Sequence, residues 1–194
     1  VSFVYDDTTY NAMRRVVLGD RNLEKISLLN DLSRKMVIGS CSLDYAFEKM
    51  KDIKDKTRYS NLAVLSALTI SAPFFAIMFG GTFKDSVVAF LVMAVEVAFL
   101  LFIGRYKIIS FLTNFLGAFI STVLVMILTK FLFIHNPVSI IIVSLMPLVP
   151  GVQVTNSVRD FMAGDYLSGI IGLQSAIFIS TAIALGVIMG LKVV

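Results

Sequence analysis

The chain has one cysteine among 194 residues, so no disulfide can form within it. Cys41 reads as a small buried or half-buried residue. One cysteine and one histidine, His135, cannot supply a four-ligand metal site, and no metal or other cofactor is expected. There is no nucleophile–base pair and no phosphate loop, which argues against an enzyme. No basic run stands alone. The net charge of +4 comes from charges of mixed sign, so no nucleic-acid partner is expected. No apolar stretch opens the chain, so no signal peptide is expected. The first residue is Val rather than Met, from which the head is expected to be truncated, with an upstream piece missing. Charge is scarce over most of the length. After Ser60 the only cations are Lys84, Arg105, Lys107, Lys130, Arg159 and Lys192. The only anions there are Asp85, Glu96, Asp160 and Asp165.

Apolar residues are abundant, at 57% of the chain. The two observations divide the sequence into a polar head, 1–58, and a transmembrane domain, 59–194. In the head, VSFVY and YNAMRRVVL flank Asp6-Asp7 and predict a hairpin. Ile26, Leu29, Leu32 and Met36 recur at helical spacing until Gly39. Ser42 can cap a second helix that carries Leu43, Phe47, Met50 and Ile53 on one face and a solvated charge run on the other. The domain beyond reads as five spans of about 20 residues each: 61–79, 86–104, 111–129, 138–154 and 166–191. Pro147 and Pro150 interrupt the fourth. The predicted fold is therefore an all-α polytopic membrane protein of about five transmembrane helices, the fourth broken by prolines, with a small α/β head. Lys and Arg divide fourteen against three between the two sides, which puts the head, the 105–107 loop and Arg159 in the cytoplasm and the C-terminus outside.

Three constellations stand out in the domain. The first follows the broken span: Gln153, Thr155, Asn156, Ser157, Arg159, Asp160 and Asp165. Charges this close to hydrocarbon are costly and are usually functional or paired. Thr155/Arg159 and Asn156/Asp160 each lie four apart, on adjacent stripes of one helix face. Arg159 offers a fork for a carboxylate, Asp160 and Asp165 suit an ammonium group or a proton, and Thr155 and Asn156 suit a hydroxyl or amide. Pro150 and Gly151 would shape the break, as in transporters built on discontinuous helices. The other reading is a cytoplasmic turn whose charges cap helices and anchor at headgroups. The second constellation is Glu96 in FLVMAVEVAFLLF, either a proton-coupling site or a neutral acid bonded to a neighbouring helix. The third is the small-residue stripe Ser168, Gly172, Ala176, Ser180, Ala184, with Gly186 and Gly190 beside it, which predicts close helix packing within the chain or against a partner. Gln174 beside the stripe suits an interhelical hydrogen bond, and His135 a loop.

The segment LVPGVQVTNSVRDFMAGDYLSG resembles the signature of the threonine/serine exporter family. The matching elements are Leu148–Gly151, Thr155-Asn156, Arg159-Asp160, Ala163–Asp165 and Ser168-Gly169. Asn30-Asp31-Leu32-Ser33-Arg34 and FGGTFKDSVVAF, 79–90, are similar to further family stretches. Gln153 departs from the family's more usual Pro. The resemblance implies a multi-pass exporter of small polar metabolites in the plasma (inner) membrane of a prokaryote, driven by the proton gradient. It implies the larger subunit of a split exporter, pairing with a second membrane subunit or with copies of itself. The substrate would be threonine, serine or a dicarboxylate such as succinate. On that footing Thr155, Asn156, Arg159, Asp160 and Asp165 are the expected substrate contacts, with Pro150 and Gly151 shaping the site. Glu96 and Asp160 are the expected proton carriers, and Ser168, Gly172 and Ala176 the packing stripe. The alternative is a non-transporting assembly or regulatory subunit.

Overall fold

The computed structural model describes residues 2–5, 8–11, 23–55, 59–106, 108–132 and 134–194. The chain divides into two units, Val1–Arg58 and Tyr59–Val194. In the first, β1 (Ser2–Tyr5) and β2 (Thr8–Asn11) pair antiparallel, Phe3 opposite Tyr10. Asp6-Asp7, expected between the two strands, and the segment 12–22 lie outside the described residues. Helices α1 (Leu23–Val37) and α2 (Leu43–Asp55) follow. Gly39, at φ 72, takes the left-handed conformation that ends α1. The Ser42 hydroxyl accepts the Tyr45 N–H at 3.3 Å and caps α2. The two helices meet through Leu32, Ala46 and Ile53, with Cys41 half-buried beside them. The rest of the anticipated apolar faces, including Ile26, Leu29, Phe47 and Met50, stays exposed.

The second unit is a helical bundle: α3 (Asn61–Met78), α4 (Phe83–Ile103), α5 (Ser110–Leu132), α6 (Pro137–Leu145), α7 (Gly151–Met162) and α8 (Tyr166–Val193). Four of these, α3, α4, α5 and α8, are long and apolar enough to cross a membrane. An apolar helix in lipid gains little by burying apolar side chains. Close backbone approach and hydrogen bonds must hold it instead. The core accordingly mixes small and medium residues. Ala72 and Ala76 of α3, Ala89, Val92, Met93 and Val97 of α4, Val125 of α5 and Ile140 and Val143 of α6 are buried together. Large residues such as Phe74, Phe102, Phe131 and Phe178 face outward. Pro73 is accommodated inside α3.

Polar groups at one end of the bundle lock the loops. Thr82 and Asp85 form a reciprocal capping box at the start of α4. The buried Asp85 carboxylate also accepts the His135 N–H at 3.1 Å. Asn136 caps α6 by accepting the Ser139 N–H at 3.1 Å.

Helices α5 and α8 run in the same direction. Phe111 meets Phe178, with ring centroids 5.0 Å apart. Gly186 lies against Phe115 and Ala118, Gly190 against Phe119 and Thr122, and the Lys130 ammonium donates to the Val194 carbonyl at 2.9 Å. Glycine is required at Gly186, because a Cβ there would lie 2.5 Å from the Phe115 carbonyl oxygen. The connection through α6 and α7 therefore returns the chain from the end of α5 past the level of its start, since Phe178, opposite Phe111, is already twelve residues into α8. The nine residues of α6 cover roughly 14 Å of that return at 1.5 Å per residue. The stretch expected as one interrupted span, 138–154, is thus a short buried helix, a turn and the start of a second helix.

Candidate functional site

The break is made by two missing N–H groups. Pro147 and Pro150 cannot continue the helical ladder. The chain tightens instead: Met146 N–H donates to the Val143 carbonyl at 3.1 Å, Leu148 N–H to Leu145 at 2.9 Å and Gly151 N–H to Val149 at 2.8 Å. Pro150 stands at the N-cap of α7 without a side-chain cap, and Gly151 is its exposed first residue.

Helix α7 packs against α8. Its inner stripe contains the buried Ser157, seated on Gly172, and the half-buried Phe161, seated on Gly169. A Cβ at Gly172 would run into the Ser157 hydroxyl, so this close contact depends on glycine. Ala176 is buried one turn further along α8. Ser168 is exposed and spends its hydroxyl on Asp165, and Gln174 is exposed.

The signature residues divide into two groups. Gly164 (φ 81) ends α7, and the Asp165 N–H donates to the Asp160 carbonyl at 2.9 Å. Asp165 then caps α8, accepting the Ser168 N–H at 3.2 Å and its hydroxyl at 2.8 Å. These residues build the turn of an α7–α8 hairpin. Thr155, Asn156, Arg159 and Asp160 lie along α7. Thr155 and Arg159 are exposed, and Asn156 and Asp160 are half-buried beside the α8 contact. Thr155 donates its hydroxyl to the Gly151 carbonyl at 3.0 Å. The side chains of Asn156, Arg159 and Asp160 form no hydrogen bond or ion pair among the described residues. An arginine fork, a carboxylate and an amide are therefore free on one short helix.

Glu96 is elsewhere. It sits on α4, 1% exposed, with one carboxyl oxygen bonded to the Ser121 hydroxyl of α5. The other oxygen, Oε1, has no hydrogen-bond partner. It lies 2.6 Å from where a Cβ of Gly117 would stand, and the Leu148 methyl carbons lie 3.3 and 3.4 Å from that point. Glu96 is thus next to the break, through Leu148, and away from the α7 side chains. A buried polar atom without a partner is uncommon and costs free energy.

Sequence reasoning missed Ser121, Gly117 and Leu148 as the surroundings of Glu96. Nothing in spacing joins residues that meet only across two helices and a turn. It also missed Asp85 as a buried loop clamp, although Thr-x-x-Asp at 82–85 was a readable capping signal.

A family model described as "Putative threonine/serine exporter" matches residues 1–194. A "Probable threonine/serine exporter" from Mycobacterium tuberculosis is 22% identical over 188 residues, covering 96% of this chain and 35% of that protein. The chain therefore spans about a third of the length of this relative. No solved structure matches.

Proposed function

The chain belongs to the threonine/serine exporter family, and on that premise we propose that it is the membrane-embedded substrate- and proton-handling part of a secondary exporter of small hydroxy amino acids. The observation that carries this reading is Glu96. A carboxyl group buried among apolar helices with one oxygen unpartnered is expensive. It is explained if that oxygen gains and loses a proton during transport. Thr155, Asn156, Arg159 and Asp160 are the substrate contacts. A zwitterion matches adjacent unpaired charges of both signs, with its carboxylate on Arg159 and its ammonium on Asp160. A dicarboxylate would use Arg159 and leave Asp160 opposed, so threonine or serine is the better fit.

The α6–α7 segment completes a fifth crossing. Parallel α5 and α8 support this, since two parallel spans need a return between them. The bias of Lys and Arg puts the α7 end in the cytoplasm and the end of α8 outside. A bundle of five crossings lacks the symmetry of a repeat-built transporter, and the exposed apolar residues Val152, Met162, Leu167 and Ile170 of the hairpin suit a second membrane subunit or a second copy.

The test is export of labelled threonine and of labelled succinate from membrane vesicles, with an imposed proton gradient, with and without the second membrane subunit. Gradient-dependent threonine export supports the reading. Succinate export alone overturns the substrate assignment. Gradient-independent vesicles in every case would reduce the chain to an assembly subunit.

A further inference from the structure

Glu96 is not equally deep from the two ends of the bundle. Along α4 it lies seven residues from Ile103 and thirteen from Phe83, or roughly 10 Å and 20 Å at 1.5 Å per residue. On α5 its partner Ser121 stands midway, eleven residues from each end, and Gly117, beside its other oxygen, lies seven residues from the start. Toward the far end Glu96 is backed by Val92, Met93, Val125, Ile140 and Val143, all buried. Toward the near end lies a second cluster. Leu148, Ala118 and Ile183 are buried together, and Leu100, Leu145 and Ile179 pack against them. Leu100 is one turn beyond Glu96 on α4, and Ala118 follows Gly117 on α5, so this layer covers Glu96 on the near side.

One member of that layer differs from the rest. Ala118, Ile183, Leu100 and Ile179 belong to long helices, and Leu145 ends α6. Leu148 alone stands on the irregular turn between the two prolines. Its N–H is held by a single tight bond to the Leu145 carbonyl, 2.9 Å long. The side chain is 5% exposed and reaches the empty Cβ position of Gly117, the point that Glu96 Oε1 also approaches. A turn of this kind changes its backbone angles more readily than a helix interior does.

We propose that Leu148 is the positioning residue that seals Glu96 from the α7 end of the bundle, and that movement of the 146–150 turn opens and closes that seal. This rests on the proton-handling reading of Glu96. It adds which end of the bundle the carboxyl opens to when the turn moves, and which residue controls the exchange. Gly117 has a definite part in the device. Without a side chain it lets the carboxyl and the leucine meet at one point. The two prolines keep the turn out of the helical ladder, so that Leu148 can withdraw without breaking a helix.

The test is chemical access to the native carboxyl, measured separately from export. Membranes containing the full chain are treated with a water-soluble carbodiimide and an amine, and the adduct on Glu96 is quantified by peptide mass spectrometry. Leu148→Ala should raise the rate of Glu96 modification about tenfold, the shift in open population expected when a closed state loses part of a buried leucine's packing. Leu148→Met refills the volume and should return the rate to that of the unaltered protein. Val143→Ala, a comparable loss in the layer on the other side of Glu96, should leave the rate unchanged. Should Leu148→Ala fail to accumulate in the membrane, Leu148→Val gives a smaller rise in the same order. Equal rates in Leu148→Ala, or Leu148→Val, and the unaltered protein would overturn the proposal. So would an equal rise in Val143→Ala, which would mean general loosening. Glu96 modification follows this pattern whether or not threonine is the substrate, so failure of the substrate assignment leaves the test of the seal intact.

Discussion

Two carboxylates of this domain, Glu96 and Asp160, were candidates for the same task, and the structure gives them opposite surroundings. Glu96 is enclosed on α4, bonded to Ser121 on one oxygen and bare on the other. Asp160 is half-buried on α7, next in sequence to the exposed Arg159, and has no side-chain partner. An enclosed carboxyl has few alternatives to a proton as its counter-charge. An accessible one beside a guanidinium can meet a hydrated ligand at little desolvation cost. On the proposed function, the comparison amounts to a division of labour: driving force inside the bundle, recognition on the hairpin. It also separates two kinds of glycine contact. Gly186 and Gly190 fasten α8 to α5, whereas Gly169 and Gly172 fasten α8 to α7.

The largest effect should come from that second contrast. Gly186→Leu forces a side chain into the Phe115 backbone and should prevent a stable bundle, beyond the roughly 1–3 kcal/mol of ordinary overpacking. The check is protein yield and thermal stability in detergent. Gly172→Leu displaces Ser157 instead. It should leave the α3–α6 core folded while separating the hairpin and abolishing export. Equal loss of yield in the two variants would erase the distinction between fastening the bundle and fastening the hairpin.

Next in size is Glu96→Gln, which keeps the shape of the side chain and removes its ability to ionise. Gradient-driven export should fall to background at normal expression. Arg159→Lys should follow, with export weakened about tenfold, or roughly 1.4 kcal/mol, because the charge stays and the fork is lost. Asp160→Asn should be as damaging as Arg159→Lys. Wild-type rates in both would return the α7 cluster to the role of a headgroup anchor. The smallest effect is expected for Asp165→Ala. Loss of the α8 cap should cost about 1 kcal/mol of stability, with the substrate concentration for half-maximal export unchanged. A change in that concentration without a change in stability would move Asp165 into the recognition group.

Much of the architecture was legible because it depends on local features. Long apolar stretches predicted α3, α4, α5 and α8 to within a few residues at their ends, and the two prolines marked the break where α6 stops. Gly39 and Ser42 marked the ends of α1 and α2 through turn and cap chemistry that involves only neighbouring residues. What stayed hidden was which partner each face would find. The small-residue stripe predicted close packing, yet residues of the same kind on α8 meet α7 in one half and α5 in the other. Asp165, expected as a substrate contact, also caps α8, and a carboxylate used for capping and one used for binding read alike in sequence. The company of Glu96, from Gly117, Ser121 and Leu148, comes from α5 and the broken turn, and no spacing rule reaches that far.

The central claim is that Glu96 couples the gradient and the α7 cluster recognises the substrate. Threonine counterflow in vesicles tests it most directly, because exchange of labelled for unlabelled substrate needs recognition and conformational change but no net proton movement. The account predicts that Glu96→Gln retains counterflow while losing gradient-driven export, and that Arg159→Lys loses both to a similar degree. Loss of counterflow in Glu96→Gln together with its survival in Arg159→Lys would contradict the account and place recognition inside the bundle.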